Sequence, residues 1–225
     1  MIGLRAAVTR LRRYYGRSPP VVSRDPFQLI LWEQVAYLVP DAQRRRAFTL
    51  LRTQVGLRPA AILGAKPSLL QRIARVGGSI AVASRAARLQ QSAEIVIDRW
   101  QGDLRRALLL PLAAARRALA HFPMIGEPGA DKILLVTGAA RLLAPDSNAL
   151  RVLDRLGLVR PAKDYRTTYR RAQASLAPVL PRDRAWLLAA SGLLRRHGQE
   201  LCRRRSPICT RCPLQSRCPS AFTSG

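Results

Sequence analysis

Four cysteines, Cys202, Cys209, Cys212 and Cys218, crowd one short stretch of a 225-residue chain that has no other thiol, in the order Cys-x6-Cys-x2-Cys-x5-Cys. This density constrains the chain more than any other feature, because in a reducing compartment it argues for thiolates on a metal rather than for disulfides. Four thiolates suit a tetrahedral zinc or a [4Fe–4S] cube, and their chemistry alone does not separate the two. The longest runs without a charged residue, 172–181 and 185–194, are ten residues each, whereas a bilayer-spanning helix needs roughly 18. Residues 1–13 interleave arginines with short apolar steps and lack the continuous apolar run of a secretory signal. A cytoplasmic protein is expected.

Upstream of the cysteines the pattern is helical almost throughout. A basic amphipathic segment over 4–15 is stopped by Gly16 and Pro19, and Asp25-Pro26 opens an apolar helix through Phe27, Leu29, Ile30, Trp32 and Tyr37. Further helices are predicted over 42–55, 68–76, 81–99, 102–110, 112–122, 129–143, 147–156, 165–180 and 182–198. The β-branched residues nowhere alternate with polar ones over a strand length, so the class is all-α.

The balance of charge points to a partner. Thirty-nine Lys plus Arg against 13 Asp plus Glu give a net charge of +26, a field that attracts polyanions. Only Lys66, Lys132 and Lys163 are lysine. Codon bias explains Arg replacing Lys but not the threefold excess over acids, and 48% hydrophobic content excludes a disordered basic tail. Nucleic acid is the expected ligand of such a surface, with Arg203, Arg204, Arg205 and Arg211 placed among the cysteines to meet phosphate.

Two internal segments carry chemistry. Residues 112–122 form a plausible helix that Pro123-Met124-Ile125-Gly126 breaks, after which Pro128 is well placed to begin another helix through Ile133, Leu134 and Val136. A helix–turn–helix of this outline leaves backbone N–H groups at the second helix start available to a phosphate. Further on, Asp146 precedes the periodic segment from Leu150 to Leu158, so it sits at a helix start, where the dipole and free N–H groups favour an ionised carboxylate.

The cysteine spacing after His197-Gly198, the hairpin upstream of it and the Asp146 loop with its Arg151-Val152 step together resemble the helix-hairpin-helix DNA glycosylases of the endonuclease III superfamily. The resemblance spans roughly 4–218 and implies an all-α fold of two helical subdomains: a six-helix domain over 24–137 carrying the hairpin, and an iron–sulfur domain from 1–23 plus 138–225. It further implies a [4Fe–4S] cluster on Cys202, Cys209, Cys212 and Cys218. Asp146 is then the residue that stabilises an oxocarbenium and helps activate water, and Glu33, amid Leu29, Ile30, Leu31, Trp32 and Val35, the residue that acts on the departing base. Tyr37 and Leu38 fall where the family inserts a side chain into the duplex, and Pro123, Ile125 and Gly126 where it holds a phosphate.

Two departures are informative. Met124 stands where the family usually carries Gly. Bifunctional members place a nucleophilic lysine two residues after the second hairpin glycine, and here that residue is Pro128, which has no amine. Lys132 lies one turn further, about 6 Å along the axis, a poor substitute. The expected function is monofunctional base excision on double-stranded DNA by a monomer, removing uracil or thymine opposite guanine. Adenine glycosylases resembling this core normally add a large C-terminal domain, whereas the sequence stops seven residues after Cys218. The alternatives are an adenine or oxidised-base glycosylase on the same core, and a catalytically silent iron–sulfur protein that only binds DNA. Such a protein is expected in the cytoplasm, associated with the nucleoid.

Overall fold

The computed structural model describes residues 2–18 and 20–222, and all regular structure among them is helical. Pro19, one of the two expected stops of the first helix, lies outside the described residues. In chain order the α-helices are α1 (Leu4–Tyr15), α2 (Pro26–Gln34), α3 (Asp41–Gln54), α4 (Pro59–Leu63), α5 (Pro67–Val76), α6 (Val82–Trp100), α7 (Leu112–Ala120), α8 (Glu127–Thr137), α9 (Ser147–Arg155), α10 (Tyr165–Leu176) and α11 (Arg184–Glu200). Short 3-10 turns occupy Leu104–Leu109, Ala177–Val179, Cys209–Arg211, Gln215–Arg217 and Pro219–Phe222. No helix among the described residues is long and apolar enough to cross a membrane.

The chain divides into two compact units, Val21–Ala139 on the one hand and Met1–Pro20 with Ala140–Gly225 on the other. In the first, α2 is the central rod. Asp25 caps it by accepting from the Gln28 N–H at 3.0 Å and Pro26 sits in its first turn, a combination that leaves fewer orphaned donors at the helix start. Phe27, Leu29, Ile30, Leu31 and Trp32 are all buried, so the helix is apolar on nearly every face and packs against α3, α6 and α8. Each such fully buried side chain contributes about 1.5–3 kcal/mol. In the second unit α11 is the spine, taking α9 on one side and α1 on another. The apolar stripe Leu4, Ala7, Val8 and Leu11 of α1 is buried at helical spacing, and α11 answers with Leu187, Ala190, Leu193 and Leu194.

Three expectations about helix extent are corrected, and one helix is added. The helix at α2 ends at Gln34 instead of reaching Tyr37, because the carbonyl of Val35 is taken by the Arg85 guanidinium at 2.7 Å and Leu38 turns to φ +51°. The helix at α8 ends at Thr137 instead of Leu143: Gly138 adopts φ +89° and its N–H bonds back to the Leu134 and Leu135 carbonyls, a left-handed cap. The stretch at 102–110 is a 3-10 turn at Leu104–Leu109, capped by Asp103. The five-residue α4, opened by Pro59, was not expected from the sequence at all.

Candidate functional site

The hairpin is built from α7, the six residues 121–126 and α8. The Phe122 N–H bonds to the Leu119 carbonyl and the Ile125 N–H to the Phe122 carbonyl, both short-range bonds of a chain reversing direction. Met124 sits at the tip with φ +64° and 59% exposure, a left-handed conformation that a non-glycine residue adopts at a cost of about 1 kcal/mol or more. Gly126 caps α8, with the Ala130 N–H on its carbonyl at 2.9 Å. Ile125 is only 2% exposed, so its side chain anchors the turn. Two polar contacts brace the motif. Buried Gln34 donates to the Pro123 carbonyl at 2.9 Å while exchanging hydrogen bonds with Ser92 on α6, and Arg116 on α7 pairs with fully buried Asp131 on α8 at 2.6 Å.

Glu33 lies on the same unit. Lys132 Nζ donates to its Oε1 at 2.6 Å, and Arg44 stands 3.8 Å from Oε2 while its guanidinium also donates to the Trp32 carbonyl at 2.9 Å and lies over the Trp32 ring. At 28% side-chain exposure the carboxylate is neither a solvated surface group nor a sealed one. Just beyond α2, Tyr37 is half-exposed and Leu38 is 75% exposed at φ +51°. The loop that presents them is held from beneath. The Tyr37 N–H bonds to the Gly77 carbonyl at 3.1 Å, and buried Arg85 spends its guanidinium on the Val35, Gly78 and Ile80 carbonyls. A buried cation of this kind is tolerated because each of its three nitrogens donates to a carbonyl oxygen. Gly77 is required there, since a Cβ would lie 2.2 Å from the Val35 carbonyl oxygen.

In the other unit Asp146 is the N-cap of α9. Its Oδ1 accepts from the Asn148 and Ala149 N–H groups at 3.0 and 2.9 Å, and its Oδ2 faces Arg195 Nε of α11 at 3.2 Å. The side chain keeps 39% exposure, so it remains reachable. Tyr165 belongs to this neighbourhood: burial, helped by the negative charge of Asp146, pushes its phenol up to about 12. Arg151 ties the aspartate loop to the cysteine loop, donating to the Asn148 side chain at 2.9 Å, the Gly198 carbonyl at 2.7 Å and the Cys202 carbonyl at 3.0 Å.

All four cysteines line one cavity, closed by apolar Ile208 and Leu214 and by His197. Among the described residues no three His, Cys, Asp or Glu side chains are gathered to hold a single metal ion. The sulfurs do have the donors that thiolates need: the Leu214 N–H on Cys212 and an Arg155 guanidinium N–H on Cys202, each at 3.4 Å. Burial pushes the Cys212 thiol up to about 11, so it ionises there only beside a positive centre such as a metal. His197 is buried and held neutral, its imidazole pushed down to about 4 by loss of water, with Nδ1 3.0 Å from the Tyr15 hydroxyl and Nε2 3.5 Å from Cys212 Sγ. Arg203, Arg204 and Arg205 are exposed on the loop. Their backbone course is set by Arg155, which donates to the carbonyls of Arg203 at 2.7 Å and Arg204 at 3.3 Å.

The arrangement defines a class: an all-helical protein with a helix-hairpin-helix in one unit, and an aspartate-capped helix beside a four-cysteine loop in the other. No protein-family model matches the chain. It is 24% identical over 198 residues to an endonuclease III of Thermotoga maritima, covering 86% of this chain and 83% of the relative. It is also 27% identical over 199 residues to one of Sulfolobus acidocaldarius, covering 87% and 82%. Among solved structures, a non-covalent endonuclease III–DNA complex superposes with a TM-score of 0.77 at 20% identity over 99% of this chain and 98% of that one. A thermostable thymine-DNA glycosylase does so with 0.74 at 15% identity over 98% and 97%. The fold is therefore that of endonuclease III, and the resemblance to the endonuclease III superfamily read from the sequence is borne out.

Proposed function

We propose that the protein is a base excision repair DNA glycosylase that removes a mispaired or damaged pyrimidine, uracil or thymine opposite guanine, by hydrolysis and without a covalent intermediate. The observation that carries the reading is Asp146: a reachable carboxylate held at a helix start by two N–H bonds and one guanidinium. A fixed negative charge of that kind stabilises the cationic sugar that forms as the glycosidic bond breaks, and can take a proton from the attacking water. Glu33 acts on the departing base. The target must leave the stack to be reached, and exposed Leu38, fixed in a strained conformation on a braced loop, is suited to fill the gap, with Tyr37 beside it.

Binding is assigned to the hairpin turn at Pro123, Ile125 and Gly126, which leads into the start of α8 where N–H groups lack helical partners, and to the exposed Arg203, Arg204 and Arg205. A net charge of +26 supports duplex DNA as the partner. For the cysteines, four thiols lining one cavity at a spacing that resembles the family's iron–sulfur loop support a [4Fe–4S] cluster, in which each sulfur has its own iron. Such a cluster supplies a rigid anchor for the arginine loop. The experiment is single-turnover assay of the holoprotein on duplexes carrying uracil, thymine, adenine opposite 8-oxoguanine, or oxidised pyrimidines, developed with and without alkali. Alkali-dependent cleavage of the G·U or G·T duplex is expected; cleavage confined to the adenine duplex would move the specificity to purines, and no excision on any duplex would overturn the enzymatic reading.

A further inference from the structure

Pro128 removes the amine that bifunctional relatives use, yet a lysine does stand nearby, on the next turn of α8. Its ammonium is committed: Lys132 Nζ lies 2.6 Å from Glu33 Oε1, and an amine that is to attack carbon must first give up that ion pair and turn its lone pair outward. We propose that Lys132 is a positioning residue, which together with Arg44 clamps the Glu33 carboxylate in a fixed orientation toward the departing base, and that Lys132 is not a nucleophile. This rests on the reading of Glu33 as the group that acts on the base.

Three features support the clamp. Glu33 is the only charged residue of α2, so its orientation is set from neighbouring helices. Arg44 on α3 is fixed by bonds to the Trp32 and Glu33 carbonyls and stands 3.8 Å from Oε2, opposite Lys132 on the other oxygen. Several other charges on the elements packed against α2 are engaged elsewhere. Arg85 of α6 binds the carbonyls of Val35, Gly78 and Ile80; Arg105 of the 3-10 turn pairs with Asp103; Asp131 of α8 pairs with Arg116; and Arg45 of α3 lies over Trp32. With 28% and 42% side-chain exposure, Glu33 and Lys132 remain open to a ligand.

The test uses Lys132→Met, Lys132→Arg and Glu33→Gln with two readouts: the pH dependence of single-turnover excision, and the carboxyl titration of Glu33 followed by carbon-13 NMR in the free protein. Removing one of two adjacent cations should move both the acid limb of the rate profile and the Glu33 titration upward by about one unit, a tenfold change in rate on that limb. Affinity for undamaged duplex should stay within about twofold, and Lys132→Arg should restore the wild-type profile. An unmoved Glu33 titration in Lys132→Met overturns the clamp whatever the enzyme does, and borohydride trapping of DNA on wild type that Lys132→Met abolishes overturns the non-nucleophile assignment. If the titration moves but Glu33→Gln excises at the wild-type rate, the clamp stands and the role given to Glu33 fails.

Discussion

Gly198 of α11 lies directly on the backbone of Asn148 in α9: a Cβ at position 198 would come within 2.5 Å of the Asn148 carbonyl oxygen and 2.8 Å of its Cβ. The closest approach of the two helices is thus set by a missing side chain, and it falls two residues from Asp146. Gly198→Ala must push the helices apart, and overpacking of this kind costs about 1–3 kcal/mol. Thermal denaturation should show a midpoint lowered by several degrees. An unchanged midpoint would mean that the helices do not meet this closely.

Arg151 makes a second link across the same junction. Replacing it with Met leaves the Gly198 and Cys202 carbonyls and the Asn148 side chain without their donor, and each buried acceptor left unpaired costs about 1–3 kcal/mol. Wild type purified without added metal should be brown with iron near four per chain, as a cube requires. Arg151→Met should retain less iron and excise more slowly, while duplex binding by the exposed arginines persists. Full iron content with wild-type stability would show that the link is dispensable.

Met124 holds φ +64° where the resembled family carries Gly. Met124→Gly relieves the left-handed strain but adds freedom to the unfolded chain, so a gain of about 0.5–1 kcal/mol is expected. Met124→Val, β-branched and less able to adopt this conformation, should lose more than 1 kcal/mol, by about the cost of a strained φ. Chemical denaturation of the two variants checks the sign, and equal stabilities would contradict the strain.

Much of this site was legible in the sequence, and the part that was not has a common cause. Asp146 was readable because a capping carboxylate announces itself next to the helix it starts, and the cysteines because their spacing in the sequence is so compact. Tyr37 was placed on the helix by its apolar periodicity; the terminator is a guanidinium supplied by Arg85, fifty residues away, which no local pattern shows. The same holds for Arg195 on Asp146, Arg151 across the cysteine loop and Lys132 on Glu33. Gln34 offered one clue, a polar residue inside an otherwise apolar helix. Long-range ion pairs depend on which helix faces meet, and periodicity fixes a face without fixing its partner.

The charge balance makes a prediction that does not depend on chemistry at the base. With several arginines each releasing a counterion from the duplex, affinity for undamaged DNA should fall by about three orders of magnitude between roughly 50 and 200 mM salt. Arg203→Ala should weaken all duplexes alike and flatten the slope by about one, because a phosphate contact carries no sequence information. Fluorescence anisotropy at a series of salt concentrations measures both. A flat response would contradict the polyanion surface.

The most direct measurement is single-turnover excision by Asp146→Asn beside wild type on a G·U duplex, each time point split between alkali-treated and untreated samples. The substitution keeps the shape and the capping capacity of the side chain but removes its charge, and loss of one focused electrostatic interaction costs on the order of 100-fold in the chemical step. The account predicts wild-type product that breaks only after alkali, and at least that loss in Asp146→Asn with duplex binding unchanged. Strand breaks in the untreated wild-type samples, or wild-type rates in Asp146→Asn, would contradict it.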